Sequence, residues 1–114
     1  MKAVTWLSLV SLFLLGAMPA PSTPPDICKL KGSVYIEQTA SFADFRVFVQ
    51  DVEAFADLVV YKEQGEIFAD KPGHWYITDV KSFADFSIYI EDVEAFADFT
   101  IAYTPFQSAA GCNN

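Results

Sequence analysis

One histidine, two cysteines and seven basic side chains are all that this chain offers for metal, thiol or polyanion chemistry. A zinc centre draws clustered Cys and His ligands together, and His74 with the distant Cys28 and Cys112 does not supply such a cluster. Seven Lys and Arg against 15 Asp and Glu give a net charge of −8. That charge repels phosphate backbones and anionic lipid surfaces, so nucleic acid is not an expected partner. Gly-rich phosphate loops are missing, and so are an EF-hand loop, the glycine-rich nonapeptide of calcium-binding repeats and a nucleophile elbow. The longest apolar run, residues 4–17, is shorter than the roughly 20 residues that cross a bilayer.

That run reads as an export signal. Lys2 precedes it, Trp6, Leu7, Leu9, Phe13, Leu14 and Leu15 form its centre, and the small residues Gly16, Ala17 and Ala20 follow. Charge, apolar stretch and small-residue cleavage region in this order make a secretory signal, assigned to residues 1–20. Cleavage leaves six basic side chains against 15 acidic ones and no expected membrane contact. The expected location is outside the cell or in the periplasm. In an exported chain the pair Cys28 and Cys112 suggests a disulfide. By chain-entropy reasoning, closing so long a loop stabilises by at most about 4.5 kcal/mol.

Residues 21–31 form a Pro-rich leader; Pro21, Pro24 and Pro25 favour an extended tether. From Gly32 to Cys112 the chain is repetitive. Phe42, Phe55 and Phe68 stand thirteen apart, Phe83 comes fifteen later and Phe96 thirteen after that. Each is followed by Ala and Asp, ending at Asp44, Asp57, Asp70, Asp85 and Asp98; residues 108–111 are a worn sixth copy. A longer period of 41 overlies the short one, since residues 51–57 return unchanged as 92–98. The chain is a duplicated triplet, joined at the turn Lys71-Pro72-Gly73.

Each unit opens as a strand. Val34, Val47, Val60, Trp75, Ile88 and Ile101 begin equivalent β-branched and aromatic triplets. Alternation along a strand puts Val34 and Ile36, Val47 and Val49, and Ile88 and Ile90 on one face. Tyr35, Phe48, Tyr61, Tyr76 and Tyr89 share the other, as an expected aromatic ladder. The stretches 52–57 and 93–98 read as irregular or briefly helical corners, too short for a stable helix. Their Phe is expected to plug inward, and their Asp to bond nearby backbone amides, as Asp does in turns.

Repeated units of this kind, in two halves from residue 34 to residue 111, resemble the 7(1) septoil knot domain family. The resemblance implies a small β-rich domain whose backbone forms a seven-crossing torus knot, and it brings no activity. One departure stands out. Phe42, Phe55, Phe68, Phe83 and Phe96 sit where many relatives carry a polar residue, which points to more buried corners here. The expected fold is therefore all-β: a compact six-unit tandem repeat, deeply knotted, with short helical turns at its corners.

No catalytic constellation emerges. His74, beside the Lys71-Pro72-Gly73 turn, reads as a surface residue, and Ser41, Ser82, Ser87 and Ser108 belong to the repeat. The carboxylate pairs Asp51/Glu53, Asp92/Glu94 and Glu63/Glu66 could in principle serve glycoside hydrolysis. Each, however, follows the repeat rhythm of a solvated face. No catalytic, cofactor-binding or metal residue is assigned. Asp44, Asp57, Asp70, Asp85 and Asp98 are the weak candidates for calcium, which takes oxygen ligands. The exposed members among Tyr35, Tyr61, Tyr76, Tyr89, Trp75 and Phe48 are candidates for stacking sugars or peptides. The expectation is an exported, non-catalytic structural or binding module of unknown partner, with cation or glycan binding as the alternative.

Overall fold

The structure is a computed structural model that describes residues 26–112; the signal assigned to residues 1–20 lies outside them, as does the start of the leader. Seven strands form: β1 (Gly32–Ile36), β2 (Phe45–Val49), β3 (Leu58–Lys62), β4 (His74–Ile77), β5 (Phe86–Ile90), β6 (Phe99–Tyr103) and the two-residue β7 (Gly111–Cys112). The first six contain the six apolar triplets. A three-residue 3-10 turn sits in every connection between them, including Glu53–Phe55 and Glu94–Phe96. The corners are thus briefly helical, as their sequence suggests.

The strand order is β4-β1-β5-β2-β6-β3, and β3 pairs with β4 to close the ring. All six pairings around it are parallel. The ring therefore has no free edge, the feature that invites strand addition. β7 adds antiparallel to one end of β3. Strands of the first half alternate with strands of the second. Each half of the duplicated sequence makes one circuit, and the second circuit runs between the strands of the first.

Register explains how short connections achieve this. Parallel strands usually need a crossover of a dozen residues or more. Here each neighbour is displaced by two residues: Val34 pairs with Ile77 on one side and with Phe86 on the other, not with its equivalents Trp75 and Ile88. Two such steps put the end of one strand level with the start of the next. Ile36, Ile88 and Phe45 lie in one hydrogen-bonded row, as do Val49, Ile101 and Leu58. With about 4.8 Å between strands, each of the four connections inside the halves need only step over one intervening strand, which belongs to the other half, while the join from β3 leads directly to its neighbour β4.

The same displacement undoes the expected aromatic ladder. Tyr35 lies beside Ser87, Phe48 beside Thr100, Tyr76 beside Ser33, Tyr89 beside Arg46 and Tyr61 beside His74. The outer aromatics alternate with polar residues and stand half-buried. Inside, one residue from each strand fills the ring: Val34, Val47, Val60, Trp75, Ile88 and Ile101 are all fully buried. Aromatic contacts occur within this core. Phe86 meets Trp75 edge-on at 5.3 Å and Phe45 at 5.9 Å, and Phe45 meets Phe99 at 5.6 Å.

The leader is not a plain tether. Asp26 caps a 3-10 turn over Ile27–Lys29, its carboxylate accepting from the Cys28 amide. Ile27 and Leu30 pack against the core, and the Trp75 indole donates to the Leu30 carbonyl at 3.1 Å. Cys28 and Cys112 are joined by a disulfide, with Cα atoms 5.2 Å apart. Gly73 marks the join between halves, with φ of +82°. A Cβ there would lie 2.5 Å from the Gly111 nitrogen and 2.7 Å from the Val59 carbonyl oxygen, so only glycine fits.

Candidate functional site

The five repeated aspartates were the weak metal candidates. Four of them are clasps instead. Asp44 lies in the loop that straddles β5; its amide donates to the Ser87 carbonyl at 3.1 Å, and its Oδ2 accepts from the Ser87 amide at 2.9 Å. Asp57 does the same with Thr100, Asp85 with Ser33 and Asp98 with Arg46. The amides bonded are 43 or 52 residues away, not the nearby ones that ordinary turn chemistry would supply. The cause is the straddled strand: the loop crosses it at a point where its backbone groups face the corner. A carboxylate taking an amide proton makes a charge-assisted bond. Asp70 is exposed, and its carbonyl accepts from the Lys31 ammonium at 3.4 Å. Among the described residues no group of three or more His, Cys, Asp or Glu is placed to hold a metal.

The corner phenylalanines do not plug inward. Phe55 is 70% exposed, whereas Ala56 beside it is 4% exposed. Phe42, Phe83 and Phe96 are exposed to a similar degree and Phe68 somewhat less. The alanine after each ring faces inward more than the ring does: Ala56 and Ala69 are buried and Ala43, Ala84 and Ala97 half-buried, while the rings are turned out. Val52, Val80 and Val93, three residues before Phe55, Phe83 and Phe96, are also exposed, and so are Ile67 and Phe106. These corners are apolar where water meets them, and acidic residues flank the rings: Asp51 before Phe55, Glu66 before Phe68, Asp92 and Glu94 before Phe96.

A second feature lies at the join. His74 is 8% exposed, not a surface residue, and its Nδ1 lies 2.6 Å from Glu63 Oε2. Gln107 Nε2 donates to the same oxygen at 3.3 Å. The His74 ring also stands 5.9 Å from that of Tyr61. The pair has a counterpart elsewhere in the repeat. Glu91 follows β5 as Glu63 follows β3, and Arg46 precedes its core residue in β2 as His74 does in β4; Arg46 and Glu91 approach to 3.5 Å. A third post-strand acid, Glu37, pairs with Lys81. Beside Glu63 and His74 opens a cavity of about 780 Å3, lined also by Phe68, Asp70, Lys71, Gln107 and Ser108.

The carboxylate pairs of the sequence do not converge. Asp51, Asp92, Glu94 and Glu66 are exposed, while Glu63 is buried against His74. Among the described residues no hydroxyl is bonded to His74, and both cysteines are spent in the disulfide. Trp75 is fully buried and is not available for stacking; Tyr35, Tyr61, Tyr76, Tyr89 and Phe48 are half-buried. Among the described residues no helix is long and apolar enough to cross a membrane.

The family model of the 7(1) septoil knot domain matches residues 27–113. The interleaved ring, in which the four loops inside the halves each step over a strand of the other circuit, fits the knotted repeat fold that this description names. No curated protein and no solved structure matches the chain.

Proposed function

Because the chain belongs to the 7(1) septoil knot domain family, a membership that specifies a fold and no reaction, we propose that it is an exported, non-catalytic binding module. Its binding surface is the set of corners. The observation that carries this reading is the exposure of Phe42, Phe55, Phe68, Phe83 and Phe96, between 57% and 70%. Each exposed ring is a contact point for a partner, and burying one ring is worth roughly 1.5–3 kcal/mol. Five near-equivalent corners also suit multivalent engagement, in which modest single contacts combine.

The partner that fits is a protein surface with apolar hollows rimmed by Lys or Arg. The corner rings are flanked by Asp51, Glu66, Asp92 and Glu94, and complementary charge steers such encounters. Export is supported by the signal-like residues 1–20 and by the Cys28–Cys112 disulfide, which suits an oxidising compartment. The calcium alternative has less support, since four of the five aspartates already bind backbone amides.

The test is capture from the native envelope or culture fluid by immobilised protein, compared with a variant in which the five corner phenylalanines are serine. The expected result is a defined partner retained by the native protein, lost by the variant and weakened by salt. Equal retention by both proteins would refute the corner surface.

A further inference from the structure

The cavity at the join shares Phe68 with the corner surface, but goes beyond it and does not rest on the reading given to the corners. We propose that it is a binding site for an uncharged oligosaccharide. It lies where the repeat is broken: fifteen residues, not thirteen, separate Phe68 from Phe83, and Ala109 and Gly111 stand where other copies have Phe and Asp. The interruption brings Lys71, His74 and the sixth corner, with Gln107 and Ser108, around one opening.

The lining matches sugar chemistry. Hydroxyl groups both donate and accept, so a sugar site needs both kinds of partner held in fixed planes. Glu63 and Asp70 accept, Lys71 donates, and His74, Gln107 and Ser108 can do either. Glu63 Oε2 already takes two donors, His74 Nδ1 and Gln107 Nε2. The far nitrogen of the imidazole, Nε2, carries no hydrogen bond to the described residues. Phe68 adds an exposed ring at the edge, an apolar face for a pyranose. Glu63 and His74 are both about nine-tenths buried and hold each other, so these two side chains need little further ordering on binding.

Charge selects the class. The lining carries two carboxylates, Glu63 and Asp70, against one ammonium, Lys71, and an imidazole already engaged with Glu63. A phosphate or sulfate would meet two carboxylates, and a polyamine would meet Lys71. A neutral polyol meets neither obstacle. A cavity of about 780 Å3 has room for a short oligosaccharide and lies within the ordinary range for ligand sites.

The experiment is binding of the folded protein to an array of immobilised neutral, sialylated and sulfated oligosaccharides, followed by NMR titration with the strongest neutral glycan. The expected result is retention of neutral glycans, with shifts at the His74 ring, the Gln107 side-chain amide and the Lys71 backbone amide. Gln107→Ala, a change at an exposed residue, should weaken binding about tenfold in a protein whose NMR spectrum is otherwise native. Phe55→Ser should leave it unchanged, which separates this site from the corners. No neutral glycan bound, binding confined to anionic glycans, or a Gln107→Ala protein of native affinity would each overturn the proposal.

Discussion

Asp57 and Thr100 hold each other through two backbone amides. The Asp57 amide donates to the Thr100 carbonyl at 3.0 Å, and the Thr100 amide donates to Asp57 Oδ2 at 3.0 Å. The two residues are 43 apart in sequence, in different circuits of the ring. The carboxylate therefore ties a loop to the strand it steps over.

Removing that carboxylate leaves the Thr100 amide without its acceptor. Asp57→Ala should cost about 1–3 kcal/mol, the range for an orphaned buried donor. Asp51→Ala, six residues earlier and exposed, should change stability by no more than about 0.5 kcal/mol. Urea unfolding of both variants checks this; equal effects would show that the clasp contributes nothing.

The Cys28–Cys112 bond joins residues 84 apart in sequence, and thus holds the leader turn against the closing strand β7. Reduction, or the Cys28→Ser, Cys112→Ser double variant, should lower stability by up to about 4.5 kcal/mol. Thermal unfolding with and without reductant measures the loss. An unchanged Tm would show that the ring alone carries the stability.

Tyr103 ends β6, and burial pushes its phenol above the ordinary tyrosine value near 10. A native pKa above the unfolded one favours the neutral form in the fold. The stabilisation is complete below the unfolded value and is lost as pH rises through the native one. Stability should therefore decline above about pH 10, and Tyr103→Phe should flatten the decline. Urea midpoints measured across alkaline pH, with ultraviolet titration of the phenols, test the point; an equal slope in the variant would contradict it.

The strands and corners were legible in the sequence because six copies align: each apolar triplet reinforces the others. The ring's closure was not, since a thirteen-residue period says nothing about pairing at separations of 43 and 52. The resemblance to the knot family supplied what periodicity lacked. Phe55 misled because an aromatic beside alanine reads as a core anchor. The loop is bonded to its straddled strand through Asp57, and beside that bond Ala56 goes in and Phe55 goes out. His74 could have been placed correctly by aligning it with Arg46 and aligning Glu63 with Glu91, two pairs that occupy equivalent positions. Its neighbour Lys71-Pro72-Gly73 carries the signal of an exposed turn, and that signal masks the burial of His74.

Thermal denaturation of the protein with serine at Phe42, Phe55, Phe68, Phe83 and Phe96, beside an Ile88→Ala control, tests the account most directly. Ile88 is fully buried, so its loss should cost about 2–5 kcal/mol. If the corner rings serve binding and not packing, the five-serine protein should melt within a few degrees of the native one while Ile88→Ala melts far lower. A five-serine protein that melts as low as the Ile88→Ala control would make the rings part of the fold and contradict the account.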